Sequence, residues 1–357
     1  MIKEFFGTFA ERLKGRRAGF VLVIASTDVS TIPGITIAGA SPEFTLFTPT
    51  ADAEFLVLGK VLSMNTIPVS PTGLPSPVLI SRAANSFLGL PVLVADAGSR
   101  VKPKIPVIDL GGEPGKDIRK WGVMPEVARE VLRRAEILGE ELSKAFDLLL
   151  IGESVPGGTT TAMAVLEALG YDALGKTSSA SPDNPKDLKV SVVKEALRGV
   201  TGNDVLERVS KVSDPMLIAV AGLTKGFGKD VLLCGGTQMI AAAALIKALY
   251  GREELDRLAV GTTKWVVEDP SADALGLAQQ VKVRVLSAQL DFSQAKYEGL
   301  RAYERFYVKE GVGAGGLAVT ALANGVSNGE ILSKVEELYN QLISGINGVL
   351  DHKGEDL

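Results

Sequence analysis

A chain of 357 residues, 46% of them hydrophobic and 22% charged, holds enough apolar material for one large core or two smaller ones. Its formal net charge of -4 offers no basic surface to nucleic acid or to an anionic membrane. One cysteine, Cys234, and one histidine, His352, leave no internal disulfide, no Cys/His metal cluster and no expected Ser–His or Cys–His pair, so acid–base work near neutral pH falls to carboxylates or lysines.

Residues 2–14 read as an amphipathic helix with Ile2, Phe5, Phe6, Phe9 and Leu13 on one face. The short apolar run after Arg16-Arg17 has a faint likeness to an export signal, but 19–26 is expected as the first core strand. Residues 27–51 read as a long loop, 52–64 as a helix, and 65–77, with Pro68, Pro71, Pro75 and Pro77, as a second loop. Loops of this length serve as walls and lids in compact enzymes, and also as plain connections. A helix over 78–88 and strands over 91–95 and 105–110 follow. The spacing of Val131, Leu132, Ala135, Leu138 and Leu142 predicts a helix over 126–145.

Residues 147–151 form a near-continuous apolar run, the pattern of a buried parallel strand. A Gly-rich turn over 152–158 carries Glu153 and feeds a helix that starts at 159–161 and runs to Leu169. Such a turn aims backbone N–H groups at one point and suits a phosphate or carboxylate; it is also an ordinary strand-to-helix connection. Helices are expected over 187–197 and 204–211. A strand over 230–234 ends at Gly235-Gly236 before an Ala-rich helix, 237–250. A short strand, 257–260, ends at Gly261-Thr262, and 281–287 reads as another strand. Helices over 292–306, 313–324 and 330–346 complete the chain. The longest apolar stretch, 239–246, is too short to span a membrane.

Alternating strands and helices predict a parallel α/β sheet, with ligands beyond the carboxyl ends of the strands. Three Gly-rich turns, at 152–158, 235–237 and 261–262, would share that rim. A fourth segment, 308–316, places Glu310 just before a glycine-rich helix start. Glu310 is either a capping carboxylate or a general base in a dry pocket. Lys186 or Lys189, in the polar loop over 181–189, could reach a phosphate. Two motif-like stretches are set aside. Residues 222–229 have the wrong spacing for a P-loop and precede a strand, and 265–269 runs into Pro270 where a pyrophosphoryl-ribose motif turns.

In chain order, Leu150-Ile151-Gly152-Glu153, Gly158-Thr159-Thr160-Thr161-Ala162, Asp183-Asn184 with Lys189-Val190-Ser191-Val192-Val193, Gly235-Gly236 and Glu310-Gly311-Val312-Gly313-Ala314 form a set. It resembles the nicotinate-nucleotide–dimethylbenzimidazole phosphoribosyltransferases of cobamide assembly, over roughly residues 90–325. The resemblance implies a Rossmann-like parallel sheet flanked by helices, with a small helical subdomain from both termini: a large domain over 15–325, and 1–14 with 326–357 as the small one. It implies a homodimer that needs no cofactor and no metal; a cytoplasmic location is expected from the absent export signal and the cofactor-like substrates. Its partners would be nicotinate mononucleotide and a benzimidazole-type base, with no nucleic acid and no membrane. The reaction would invert C1′ and release nicotinate.

By position, Glu310 resembles the general base and Glu153 a second carboxylate. Gly152, Ser154, Gly175, Lys189, Gly235, Gly236, Gly261, Thr262 and Gly311 would cradle phosphate and ribose, and Ser70 and Pro71 would meet the base. The N-terminal third departs from the family: Ala25-Ser26-Thr27-Asp28-Val29-Ser30 stands where an Asp-His-Gly turn is usual. A purine or another azole as acceptor, a non-catalytic nucleotide-binding module, and a hydrolase with water as acceptor remain alternatives.

Overall fold

The computed structural model describes residues 1–38, 42–64 and 74–352. Among them, eight strands form one sheet: β1 (Ile2–Phe5), β2 (Ala18–Ala25), β3 (Val92–Gly98), β4 (Ile108–Asp109), β5 (Leu148–Ser154), β6 (Asp230–Cys234), β7 (Leu258–Thr263) and β8 (Arg284–Ala288). Their order is β1-β8-β7-β6-β5-β2-β3-β4. Only β1 runs antiparallel, against β8. The chain winds outward from β2 in one direction and from β5 in the other. The crevice between the carboxyl ends of β2 and β5 is therefore the topological switch point, where open α/β sheets take ligands.

β2 and β5 are buried along their whole length, as near-continuous apolar strands must be when both sheet faces are covered. On one face Val21, Val23, Leu149, Ile151, Val231, Leu233 and Val260 pack under the helices Pro125–Ala145, Gly158–Ala168, Pro215–Phe227 and Thr237–Tyr250. On the other, Phe20, Leu22, Leu148, Leu150, Leu232 and Cys234 pack under Thr48–Leu58, Val78–Leu88, Ala314–Ala323 and Asn328–His352.

Several stretches differ from expectation. Residues 27–51 hold a 3-10 turn, Asp28–Thr31, and the first turn of a helix, Thr48–Leu58, that ends short of residue 64. Three differences are larger. Residues 2–14 are not a helix: β1 joins the sheet edge, Phe6 and Gly7 turn the chain at φ 62° and 130°, and Ala10–Leu13 forms a 3-10 turn. The Glu4 carboxylate accepts the N–H groups of Phe9 and Ala10 at 2.5 and 2.8 Å, and pairing with the open edge of β8 outweighs a short helix's weak intrinsic stability. Residues 292–306 hold only the short turns Glu298–Arg301 and Ala302–Arg305. There Phe292 and Tyr303 turn in on Trp265, and Glu304 takes the Phe292 N–H at 2.8 Å.

The third is a helix the sequence pattern hid, Pro215–Phe227. It is apolar on nearly every side, so it shows no helical period. The Pro125–Ala145 helix crosses it closely enough that a Cβ on Gly226 would stand 1.9 Å from the Glu136 carbonyl oxygen. The stretch 222–229, set aside as a phosphate loop, is the end of this buried helix. Among the described residues no helix is long and apolar enough to cross a membrane.

Candidate active site

The alternation of β5 sends Gly152 and Ser154 to one face of the sheet and Glu153 to the other. Glu153 is 3% exposed and accepts the Gln238 side-chain N–H at 2.9 Å. Burial pushes its carboxyl up to about 8, helped by the negative charges of Glu310, Asp214 and Asp52. Ser154 donates its hydroxyl to Asp52 at 2.8 Å, and Ser76 donates to the other oxygen of Asp52 at 2.7 Å.

Glu310 reaches the same rim from the segment before the Ala314–Ala323 helix. One carboxylate oxygen accepts the N–H groups of Gly311 and Gly315 at 3.2 and 3.0 Å. The other accepts the Thr262 hydroxyl at 3.2 Å and the Thr263 N–H at 3.1 Å. Hydrogen bonds to an ionised carboxylate lower its pKa, yet desolvation outweighs these four and holds Glu310 at about 7.

Gly235 and Gly236 lie between the two acids. A Cβ on Gly235 would stand 3.8 Å from Glu153 Oε1, and one on Gly236 3.8 Å from Glu310 Cγ. Gly235 N–H donates to the Gly261 carbonyl at 2.9 Å, which continues the β6–β7 pairing to the rim. Gly261 and Gly152 serve close packing: their added Cβ atoms would meet Gly316 Cα at 2.8 Å and the Phe20 ring at 2.7 Å.

Lys189 is fully buried, with its ammonium on the Ser178 carbonyl at 2.7 Å and the Asn184 side-chain oxygen at 3.4 Å. Burial, and then the nearby charge of Lys309, pull it down to about 7. Gly175 turns the chain at φ 71° with open space around it, two residues before Thr177. Ser70 and Pro71 lie outside the described residues.

The structure therefore groups Glu153, Glu310, Gly235, Gly236, Thr262 and Gly311 at one rim. Ser154 lies on the opposite face of β5's end, and Lys189 beneath the loop over 177–184. Sequence reasoning missed Asp52, Asp214 and Gln238. Asp214-Pro215 carried a readable signal, an N-cap followed by proline at the first helical position. Asp52 and Gln238 carried none, because each sits inside a helix and gains its role from what it faces. Among the described residues no group of three or more His, Cys, Asp or Glu side chains is disposed to hold a metal ion.

Asp214 is fully buried, accepts the Met216 and Leu217 N–H groups at 3.0 and 3.2 Å, and takes the Thr161 hydroxyl on its other oxygen. Burial raises its carboxyl to about 6. The folded state thus holds this proton more tightly than the unfolded chain. The resulting stability is full below the ordinary carboxylate range and is lost as pH rises through about 6. Asp214→Asn keeps the capping oxygen and removes the titration. Urea unfolding across pH 4–7 is expected to show a curve flatter by ~3 kcal/mol in the variant, from about two pH units at ~1.4 kcal/mol each. Parallel curves for the two proteins would refute the assignment.

No protein-family model matches the chain. It is 56% identical over 349 residues to a UPF0284 protein of Saccharolobus islandicus, which covers 97% of this chain and 99% of that protein. A UPF0284 protein of Sulfurisphaera tokodaii is 53% identical over 345 residues, again 97% and 99% of the two chains. Among solved structures, the nicotinate-nucleotide-dimethylbenzimidazole phosphoribosyltransferase of Thermus thermophilus superposes with a TM-score of 0.60 at 19% identity, over 88% of this chain and 83% of that one. A structure described as CobT, from the same organism, gives 0.62 at 19% identity over 91% and 90%. The family resemblance drawn from the motifs thus holds for the fold, a mostly parallel sheet flanked by helices.

Proposed function

The chain belongs to the UPF0284 family, and from the two acids at its sheet rim we propose that it is a phosphoribosyltransferase of cobamide assembly. In this reading it moves the phosphoribosyl group of nicotinate mononucleotide to a ring nitrogen of a benzimidazole-type base. The observation that carries it is the placement of Glu153 and Glu310 on either side of Gly235-Gly236, both buried enough to titrate near neutral pH.

The unprotonated ring nitrogen of the acceptor attacks C1′ from the face opposite the pyridinium. The C1′–N bond breaks and its electron pair neutralises the pyridinium nitrogen, so nicotinate leaves without an acid. The proton on the acceptor's other nitrogen passes to the Glu310 carboxylate. The result is an α-ribazole-type phosphate, inverted at C1′. At pH 7 Glu310 is partly ionised and able to accept, whereas Glu153 stays protonated and can donate to the ribose or the ring. The Gly-rich turns at the rim hold the donor phosphate, while Lys189, buried under the loop over 177–184, braces that loop through the Ser178 carbonyl. In the same reading the protein is a cytoplasmic homodimer.

The test is mass spectrometry of products from nicotinate mononucleotide with a mixture of benzimidazoles and purines. A ribosylated base phosphate appearing together with nicotinate is the expected result, and the base consumed names the acceptor. Nicotinate released equally fast with no base present would make the protein a hydrolase instead.

One observation favours a second reading, a non-catalytic nucleotide-binding module. One Glu310 oxygen accepts the Gly315 N–H in the first turn of the Ala314–Ala323 helix, as a carboxylate that stabilises a helix N-terminus would. Calorimetric binding of nicotinate mononucleotide with no turnover over the whole panel of bases would select it.

A further inference from the structure

Directly before Glu310 lies a lysine with no exposed role. The Lys309 ammonium, 1% exposed, pairs with Asp269, 0% exposed, at 2.8 Å and also bonds the Ser181 carbonyl at 3.3 Å. Asp269 takes the Ser178 hydroxyl at 3.2 Å on the same oxygen, and the Ser271 N–H at 2.8 Å on the other. Two backbone links run alongside. Val308 N–H donates to the Ala180 carbonyl at 2.8 Å, and the Thr263 hydroxyl donates to the Lys309 carbonyl at 2.7 Å. The far side of the Ser178 loop reaches the rim itself, where Ser178 N–H meets the Thr237 hydroxyl at 3.2 Å.

The segment that carries Glu310 is also strained. Val308 and Val312, both β-branched, sit at φ 44° and 56°, a region such side chains rarely adopt. Backbone of this kind persists only where its surroundings over-determine it, and it gathers at functional sites. The ion pair and its backbone links supply that restraint on the N-terminal side of Glu310.

We propose that Lys309 is a positioning residue: its buried pair with Asp269 bolts the strained Glu310 segment to the loop over 177–184. The base and the loop that covers Lys189 then keep one fixed spacing. This inference rests on the proposed role of Glu310, and its test has one arm that does not.

Lys309→Met alone leaves Asp269 buried without a counter-charge, so lost stability in that variant proves nothing about position. Lys309→Met/Asp269→Leu removes both charges, and apolar replacement of a buried pair is often neutral for stability. In the double variant we expect a melting temperature near that of the parent. Amide exchange should nonetheless be faster at Thr263, Gly311, Val312 and Gly315, with the central strands β5 and β6 unchanged.

In turnover, kcat should fall about 10- to 100-fold with little change in the KM of nicotinate mononucleotide, the signature of a misplaced reacting group. Unchanged exchange at those four amides, at a recovered melting temperature, would overturn the proposal. If the double variant does not fold, Asp269→Asn is read in its place, with the same four amides deciding. The exchange arm needs no substrate. Should the unaltered protein prove inactive with every base, Glu310's proposed role fails while the exchange result still judges the bolt.

Discussion

Replacing Glu310 with glutamine is expected to lower kcat for base-dependent nicotinate release by roughly 10²–10⁴-fold, the contribution general-base catalysis makes. The amide keeps an oxygen for the Gly311 and Gly315 N–H groups and can donate to the Thr262 hydroxyl, but it leaves the Thr263 N–H without its acceptor, so some stability should be lost along with the group that takes the proton. Burial sets the Glu310 carboxyl at about 7. The ionised form is the base, so the parent's rate should fall as pH drops through about 7. That acid limb should be missing from whatever activity the variant retains. Glu310→Ala should be as slow, with some stability lost as well because its helix start loses a cap. Full turnover in both variants would remove Glu310 as the base, whatever its position.

The second large effect is on folding. Gly316→Ala is expected to destabilise the protein by about 3 kcal/mol or more, at or beyond the upper end of ordinary overpacking. The Ala314–Ala323 helix lies so close over β6 and β7 that an added Cβ would stand 2.2 Å from Cys234 Sγ and 2.4 Å from Cys234 Cβ. The same approach delivers Glu310 to Thr262, because a Cβ on Gly315 would meet the Thr262 carbonyl carbon at 2.2 Å and Glu310 Oε2 at 2.4 Å. Urea midpoints should show the loss. Cys234→Gly, which removes the facing side chain, should recover part of it in the double variant. A Gly316→Ala protein as stable as the parent would mean that the helix sits farther from the sheet than described.

Much of the site could be read before the fold was known, for local reasons. Glu153 follows an apolar strand and opens a Gly-rich turn, and Glu310 precedes glycines at a helix start. Each pattern is complete within a short stretch of chain. Position was legible and role was not. Glu310 bonds Gly311 and Gly315 as a cap would, and it also sits beside Gly236 with a raised pKa, as a base would. Both readings rest on the same atoms, and the rate of the Glu310→Gln variant decides between them. Lys189 and Lys309 illustrate the opposite failure. Nothing in the residues around either one marks it for burial, yet both are among the most buried polar side chains of the described residues.

By itself the sequence determined a parallel α/β sheet, the Gly-rich turns at the ends of β5, β6 and β7, and two candidate acids. Strand period, turn chemistry and glycine's freedom act over a few neighbouring residues and are written in their order. Only the tertiary structure decided that residues 2–5 leave a helical pattern to pair with β8. It also decided that a featureless apolar run is the buried helix Pro215–Phe227, that Gln238 bonds Glu153, and that the charges of Asp52 and Asp214 act on that same acid. Edge pairing, desolvation and charge–charge repulsion are sums over residues far apart in the chain, so no local stretch of sequence contains them.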